Sequence, residues 1–285
     1  MKTLLGNTKY LFTLSMLTLA MGQSAIAATI TFGGQAATDG SGKTSLNVNA
    51  NNTINSLNDG FFVETFDKAT AIGGLPLTQD ESYNVAGLSN GCAINSPLDI
   101  TTSDPSVLNV RKGSSKNIAA APAGDSTCYA YTTPSTVGTD SYVDIDYTNF
   151  LANIGSTIPS LAGSSVNYLG FYWGSVDTYN SFEFYANDVL VNSITGAELL
   201  SQLNGTSGNQ AADSSNVYVN IAFNASEAFN RLRVVSSGIA GEFDNIVVGL
   251  DKRDVPEPAS LAILGLGLLG LGGMRSFEKA KGLTK

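Results

Sequence analysis

The sequence holds no histidine and only two cysteines. Ser-His-Asp and Cys-His nucleophile systems, imidazole metal sites and four-thiolate clusters are therefore closed to it. Carboxylates, hydroxyls and aromatic rings are what remain for chemistry. The densest aromatic stretch is residues 166–185, VNYLGFYWGSVDTYNSFEFY, with the one tryptophan at Trp173. An aromatic face packs on the C–H face of a sugar while short polar groups bond its hydroxyls. Tyr172 and Trp173 as platform, with Asp177 and Asn180 as hydroxyl partners, form the ligand-binding candidate. The competing reading puts Phe171, Trp173, Phe182 and Phe184 in the core and makes Asp177 and Asn180 turn formers.

Carboxylates offer two further chemistries. Asp140, Asp144 and Asp146 supply the oxygen ligands that calcium takes, without an EF-hand loop around them; the alternative is a solvated acidic edge. A calcium position near Asp244 and Asn245 is left open by the same reasoning. Glycoside hydrolysis needs two carboxylates about 5–9 Å apart, for which Glu64 with Asp67, or Glu183 with Glu242, are candidates. No spacing in the sequence fixes such a separation, and Ser41-Gly42-Lys43 has the composition of a loop, not of a Ser-Lys nucleophile. The expectation is a protein that is not an enzyme and has no cofactor, calcium aside.

These side chains must be positioned by strands. Tyr142–Tyr147 alternates strictly, with Val143, Ile145 and Tyr147 on one face and Tyr142, Asp144 and Asp146 on the other. Val217, Val219, Ile221 and Phe223 alternate in the same way, as do Arg231 and Arg233 with Leu232 and Val234. Phe61–Phe66 and Phe243–Val248 read as further strands. Ser181–Tyr185 and Val189–Ile194 flank Ala186-Asn187-Asp188, a hairpin turn. Thr195–Leu203 is the clearest helix, with Thr195 as N-cap and Glu198 three residues on; Asn149–Ile154 is a weaker one. The Ser-, Thr- and Ala-rich region Thr102–Gly138 reads as long loops or edge strands. Many short strands with polar turns predict an all-β, antiparallel β-sandwich of jelly-roll type.

Both ends of the chain carry a different composition. Lys2 and Lys9 precede the 12-residue apolar run Tyr10–Met21, and Ala25-Ile26-Ala27 follows as a small-x-small cleavage site. This is the pattern of a secretory signal peptide, cut by signal peptidase. At the other end Val255-Pro256-Glu257-Pro258 leads into the uncharged run Ala259–Met274, which carries five glycines, and then into Arg275, Lys279, Lys281 and Lys285. Sixteen helical residues span roughly 24 Å against a bilayer core of about 30 Å. The run therefore suits a transient halt, with the basic tail on the cytoplasmic side. In an exported chain Cys92 and Cys128 form a single disulfide by default.

The order of these three C-terminal parts resembles the PEP-CTERM sorting signal of exosortase-dependent surface proteins of Gram-negative bacteria. The resemblance implies recognition by exosortase, a membrane enzyme, at Val255, Pro256, Glu257 and Pro258. It also implies delivery to the cell surface or extracellular matrix, often in species that make exopolysaccharide, and hence a link to biofilm. The 166–185 stretch together with Phe243–Val248 is similar to a group of proteins within that set, which implies an extracellular β domain without an assigned reaction.

The chain thus divides into a signal peptide with its helix (1–27), an extracellular β-sandwich domain (28–252) and a sorting signal with its hydrophobic transmembrane helix (253–285). Of 24 acidic and 15 basic residues, Glu257, Glu278, Lys2, Lys9 and the four basic residues of the tail lie outside 28–254, which leaves 22 against 9 and a net charge of −13. Such a surface repels nucleic acid and anionic membranes and attracts divalent cations. The expected function is a non-catalytic structural or adhesive role at the cell surface. A carbohydrate-binding module for exopolysaccharide is the second reading and a glycan-degrading enzyme the third.

Overall fold

The computed structural model describes residues 28–68, 79–85, 91–95, 99–134, 141–224 and 226–251. The expected signal and sorting helices, and Asp140 among the candidate ligands, lie outside the described residues. In chain order the strands are β1 (Thr29–Phe32), β2 (Gln35–Ala36), β3 (Lys43–Thr44), β4 (Phe61–Glu64), β5 (Gln79–Asp80), β6 (Ile94–Asn95), β7 (Asp99–Thr102) and β8 (Leu108–Lys112). There follow β9 (Cys128–Thr132), β10 (Tyr142–Asp146), β11 (Val166–Gly174), β12 (Asn180–Ala186), β13 (Val189–Thr195), β14 (Val217–Ala222), β15 (Arg231–Ser236) and β16 (Gly241–Leu250). The α-helices are α1 (Thr148–Thr157) and α2 (Gly196–Leu203), and two short 3₁₀ turns lie at Leu57–Asp59 and Pro159–Leu161.

Most strands join two antiparallel sheets. The larger runs β1-β14-β11-β16-β9-β8, with β4 pairing β16 beyond the end of β9. The smaller runs β13-β12-β15-β10-β7. From β9 onward the chain crosses to the other sheet at every connection except the β12–β13 hairpin. Strands β9 to β16 thereby fall into the runs β9-β16-β11-β14 and β10-β15-β12-β13, which is the jelly-roll order.

Period-two patterning places the core between the sheets. Val143 and Ile145 of β10 point inward with Leu232 and Val234 of β15, while Asp144 and Arg233 face outward as a cross-strand pair. Phe182 of β12 stacks on Phe171 of β11 at 4.1 Å and meets Trp173 at 4.7 Å and Phe243 of β16 at 5.9 Å. The hairpin turn falls at Asn187 and Asp188, both with positive φ, as a two-residue primed turn requires. Helix α2 opens with the expected capping box between Thr195 and Glu198. Helix α1 buries Phe150 and Ile154, four residues apart, and Phe150 packs edge-on against Phe62 at 5.0 Å.

The outer face of the large sheet is covered too. Every residue of β9 and of β16 is buried. Val48 packs on Val63 and Val247, while Ala119 packs with Tyr129, Tyr131 and Ala240. The segments around Val48 and Ala119 thus form a lid over β16, β9 and β4. In Thr102–Gly138, β8 is an edge strand of the large sheet, as expected, but β9 departs from the expectation. Strand β9 lies inside the sheet, between β16 and β8, and is not an edge or a loop. Its inward residues Cys128 and Ala130 are small, and its outward tyrosines are hidden only because a second layer lies over them.

Cys92 and Cys128 are bonded, with Cα atoms 5.5 Å apart across 36 residues of sequence. The link ties the segment before β6 to β9. In the chain-entropy model a loop of this length stabilises by about 3–4 kcal/mol. The double variant Cys92→Ala/Cys128→Ala should therefore unfold at markedly lower urea, by at least that free energy; an unchanged midpoint would show the link to be idle.

Candidate functional site

One end of the sandwich holds a cleft of about 560 Å³. Its floor is Glu242, the second residue of β16, and Ser175, which follows β11. One wall is the turn Asp177–Tyr179 between β11 and β12; the opposite wall is the lid segment Lys116–Ala120. Ile118 and Ile239 stand at the rim, 43% and 55% exposed.

The cleft contains two carboxylates of different character. Glu242 is 3% exposed. Its Oε1 accepts from the Ala120 N–H at 2.8 Å and its Oε2 from the Ser175 hydroxyl at 2.8 Å. Burial pushes the group up to about 7, the two donors oppose this, and Asp177 adds to it. Asp177 is half-buried and accepts from the Tyr179 hydroxyl at 2.6 Å and the Ser207 hydroxyl at 2.7 Å. The Tyr179 phenol also reaches the carbonyl of Ile239. Burial raises it, and its bond to Asp177 raises it further. The arrangement is a polar cleft with a tyrosine edge, whose two carboxylates are each held by two protein donors.

Of the four sequence-proposed ligand residues, Asp177 alone lines this cleft. Trp173 is a correction: it is fully buried in the inter-sheet core and offers no ring face to a sugar. Tyr172 points the other way, under the lid, and its hydroxyl donates to the Ala123 carbonyl at 2.6 Å. Asn180 is 2% exposed and structural; its Nδ2 donates to the Ala240 carbonyl and its Oδ1 accepts from Ser236. The alternation of the segment fits core and platform equally, and only the partner sheet decides between them.

The proposed metal ligands Asp144 and Asp146 are also committed elsewhere. Asp144 takes a bidentate pair of bonds from Arg233, at 2.7 Å each, and the guanidinium lies 4.0 Å from the Tyr142 ring. Asp146 accepts from the Thr148 N–H at the start of α1. Among the described residues no group of three or more acidic or cysteine side chains converges as a metal centre.

Of the proposed catalytic pairs, Glu183 and Glu242 are split between the two sheets, while Glu64 is buried and within electrostatic reach of Asp67. Glu183 lies on the smaller sheet and accepts from Tyr185, remote from Glu242. Glu64 is 3% exposed and accepts from the Phe66 and Asn95 N–H groups and the Asn95 side chain. Burial raises it to about 7 in spite of these donors. What the sequence did not indicate is the pairing of Glu242 on β16 with Asp177 and Tyr179 in the β11–β12 turn, 65 and 63 residues earlier.

The polypeptide leaves β16 at Leu250 and enters the sorting segment almost at once. Residues 254–276 match the family model of the PEP-CTERM protein-sorting motif. The chain carries a PEP-CTERM sorting signal. No curated protein matches the chain. The motif marks an exported, exosortase-dependent surface protein. No helix among the described residues is long and apolar enough to cross a membrane, and the apolar run Ala259–Met274 lies outside them.

Glu242 gives a pH prediction. In the unfolded chain a glutamate titrates near 4.5, whereas the folded group titrates near 7. The folded state therefore binds the extra proton between these values, and this contribution is lost as pH rises from about 4.5 through 7. Glu242→Gln should flatten that part of the stability profile and gain on the order of 1–3 kcal/mol over the parent at pH 8. Urea unfolding at pH 5 and pH 8 reads both; parallel profiles would refute the assignment.

Proposed function

We propose that the jelly roll is a non-catalytic structural or adhesive module which the sorting signal delivers to the cell surface. The observation that carries this reading is the state of the cleft's carboxylates. Each is held by two protein donors, which supports a cleft that holds a polymer in place. The strongly acidic body and the disulfide suit a protein that stays soluble and folded outside the cytoplasm.

Carbohydrate binding remains as a second reading because the cleft has the right composition. The Tyr179 ring edge and Ile239 supply an apolar strip, and Asp177, Ser175 and Gln210 supply hydrogen-bonding groups along it. In this reading the exopolysaccharide lies between the 177–179 turn and the lid, not on Trp173.

Two measurements test these readings. Mass analysis of the surface-released protein should place its new C-terminus within Val255–Pro258; Lys285 retained on every copy would refute processing. Incubated with matrix polysaccharide, the purified protein should sediment with the polymer without shortening it, and Asp177→Ala should weaken the association at least about tenfold. Release of reducing ends, abolished by Glu242→Gln, would overturn the non-catalytic assignment.

A further inference from the structure

Beneath the lid of the large sheet, away from the cleft, two aspartates lie among too few donors for them. Asp244 sits on β16 and is fully buried, and neither of its carboxylate oxygens has a hydrogen-bond partner. A bulge fixes its direction. Strand β16 places Asn245 and Ile246 opposite the single Phe171 of β11, with Asn245 in the left-handed region at φ 49°. Phe243 and Ile246 can then both enter the core, which leaves Asp244 on the lid side. The neighbouring polar groups have partners. Asn245 Nδ2 reaches Ser41 and Lys43, its Oδ1 accepts from Asn52, and its carbonyl accepts from Tyr218. The surrounding side chains are thus committed to one another, and none of them donates to Asp244.

Asp125 stands opposite. It belongs to the lid segment just before β9, and Ser41 bridges to it across the lid. Its Oδ1 accepts from Thr127, while its buried Oδ2 has no partner. Asp67 and Asp39 lie within electrostatic reach. The Cys128 N–H donates to Asp67, and Ser41 and Asn52 donate to Asp39. Burial, followed by Asp125, Asp67 and Asp39, raises Asp244 well above the carboxylate range; the Asn245 N–H alone opposes this. Burial likewise pushes Asp125 up to about 6.

Buried carboxylates that face each other without donors are stable only with a cation or a shared proton between them, and the two cases differ in whether calcium binds. We propose that the pair Asp125 and Asp244 holds a divalent cation that fastens the lid to β16. The donor set is oxygen alone: there is no histidine, and both cysteines are in the disulfide. Hard, oxygen-seeking calcium fits such a set, with carbonyl, hydroxyl and water oxygens completing its six to eight positions. The acidic pair supplies the charge, which accords with the absence, among the described residues, of three or more acidic side chains converging on one point.

The test uses the full chain, stripped with chelator and titrated with calcium chloride by calorimetry. One calcium per chain should bind and saturate below about 10 mM, the range of extracellular modules. The thermal midpoint should rise by several degrees on binding. Asp244→Asn keeps the shape, removes the charge and should lose both effects, whereas Asp146→Asn on the smaller sheet should retain them. Should Asp244→Asn not fold, Asp125→Asn on the half-exposed lid should weaken binding at least tenfold. No heat of binding at 10 mM, or calcium titrations of the Asp244→Asn and Asp125→Asn variants that overlay the parent, would overturn the site and leave the pair holding a proton instead.

Discussion

Strand β16 is paired along both edges and covered on both faces, to β11 on one side and to β9 and β4 on the other. A strand so placed has no water to satisfy it, so every polar side chain on it must be met by the protein or by something the protein holds. Three such side chains interrupt it. Glu242 is met by a backbone amide and a serine. Asn245 is met by the segment it pins in place. Asp244 is met by no side chain. Those three answers generate the cleft, the anchoring of the lid and the buried acidic pair.

The lid follows from the same constraint. The outward side of β11 and β14 carries Tyr168, Tyr172 and Tyr218, and β16 adds Val247. A wet outer face would expose this surface, and the smaller sheet shows what a wet face needs instead: Arg233 and Asp144 locked across strands between tyrosine rings. On the large sheet the chain folds its own N-terminal segment over the rings. Gly170 makes room for this, since a Cβ there would collide with the hydroxyls of Tyr168 and Tyr218.

How much of this was legible depends on whether the signal is local. Tyr142–Asp146 and Val217–Ala222 show their faces directly, because one side meets core and the other is wetter. The Thr195–Glu198 capping box states the start of α2 in four residues. Strand β9 is not legible, because burial on both faces removes the alternation that would mark it. Trp173 misleads for a related reason: an aromatic run at period two has the same appearance whether a sugar or Phe182 lies over it. The cleft is formed by side chains from four separated segments, and no spacing along the chain reports that. Asp244 sits in a stretch that reads as a plain final strand, and the bulge that turns it is visible only in the pairing register.

The position of β16 also sets the timing of folding. It is the last strand of the jelly roll in sequence, and it fills the middle of the large sheet. Until residue 250 is available, β11 on one side and β9 and β4 on the other have no common neighbour, and the two halves of that sheet remain apart. The sorting motif begins at residue 254, only a few residues later. Emergence of the address and closure of the domain are therefore nearly the same event, so a chain halted short of its signal would be left as an open, sticky sheet edge and not as a finished domain without a label.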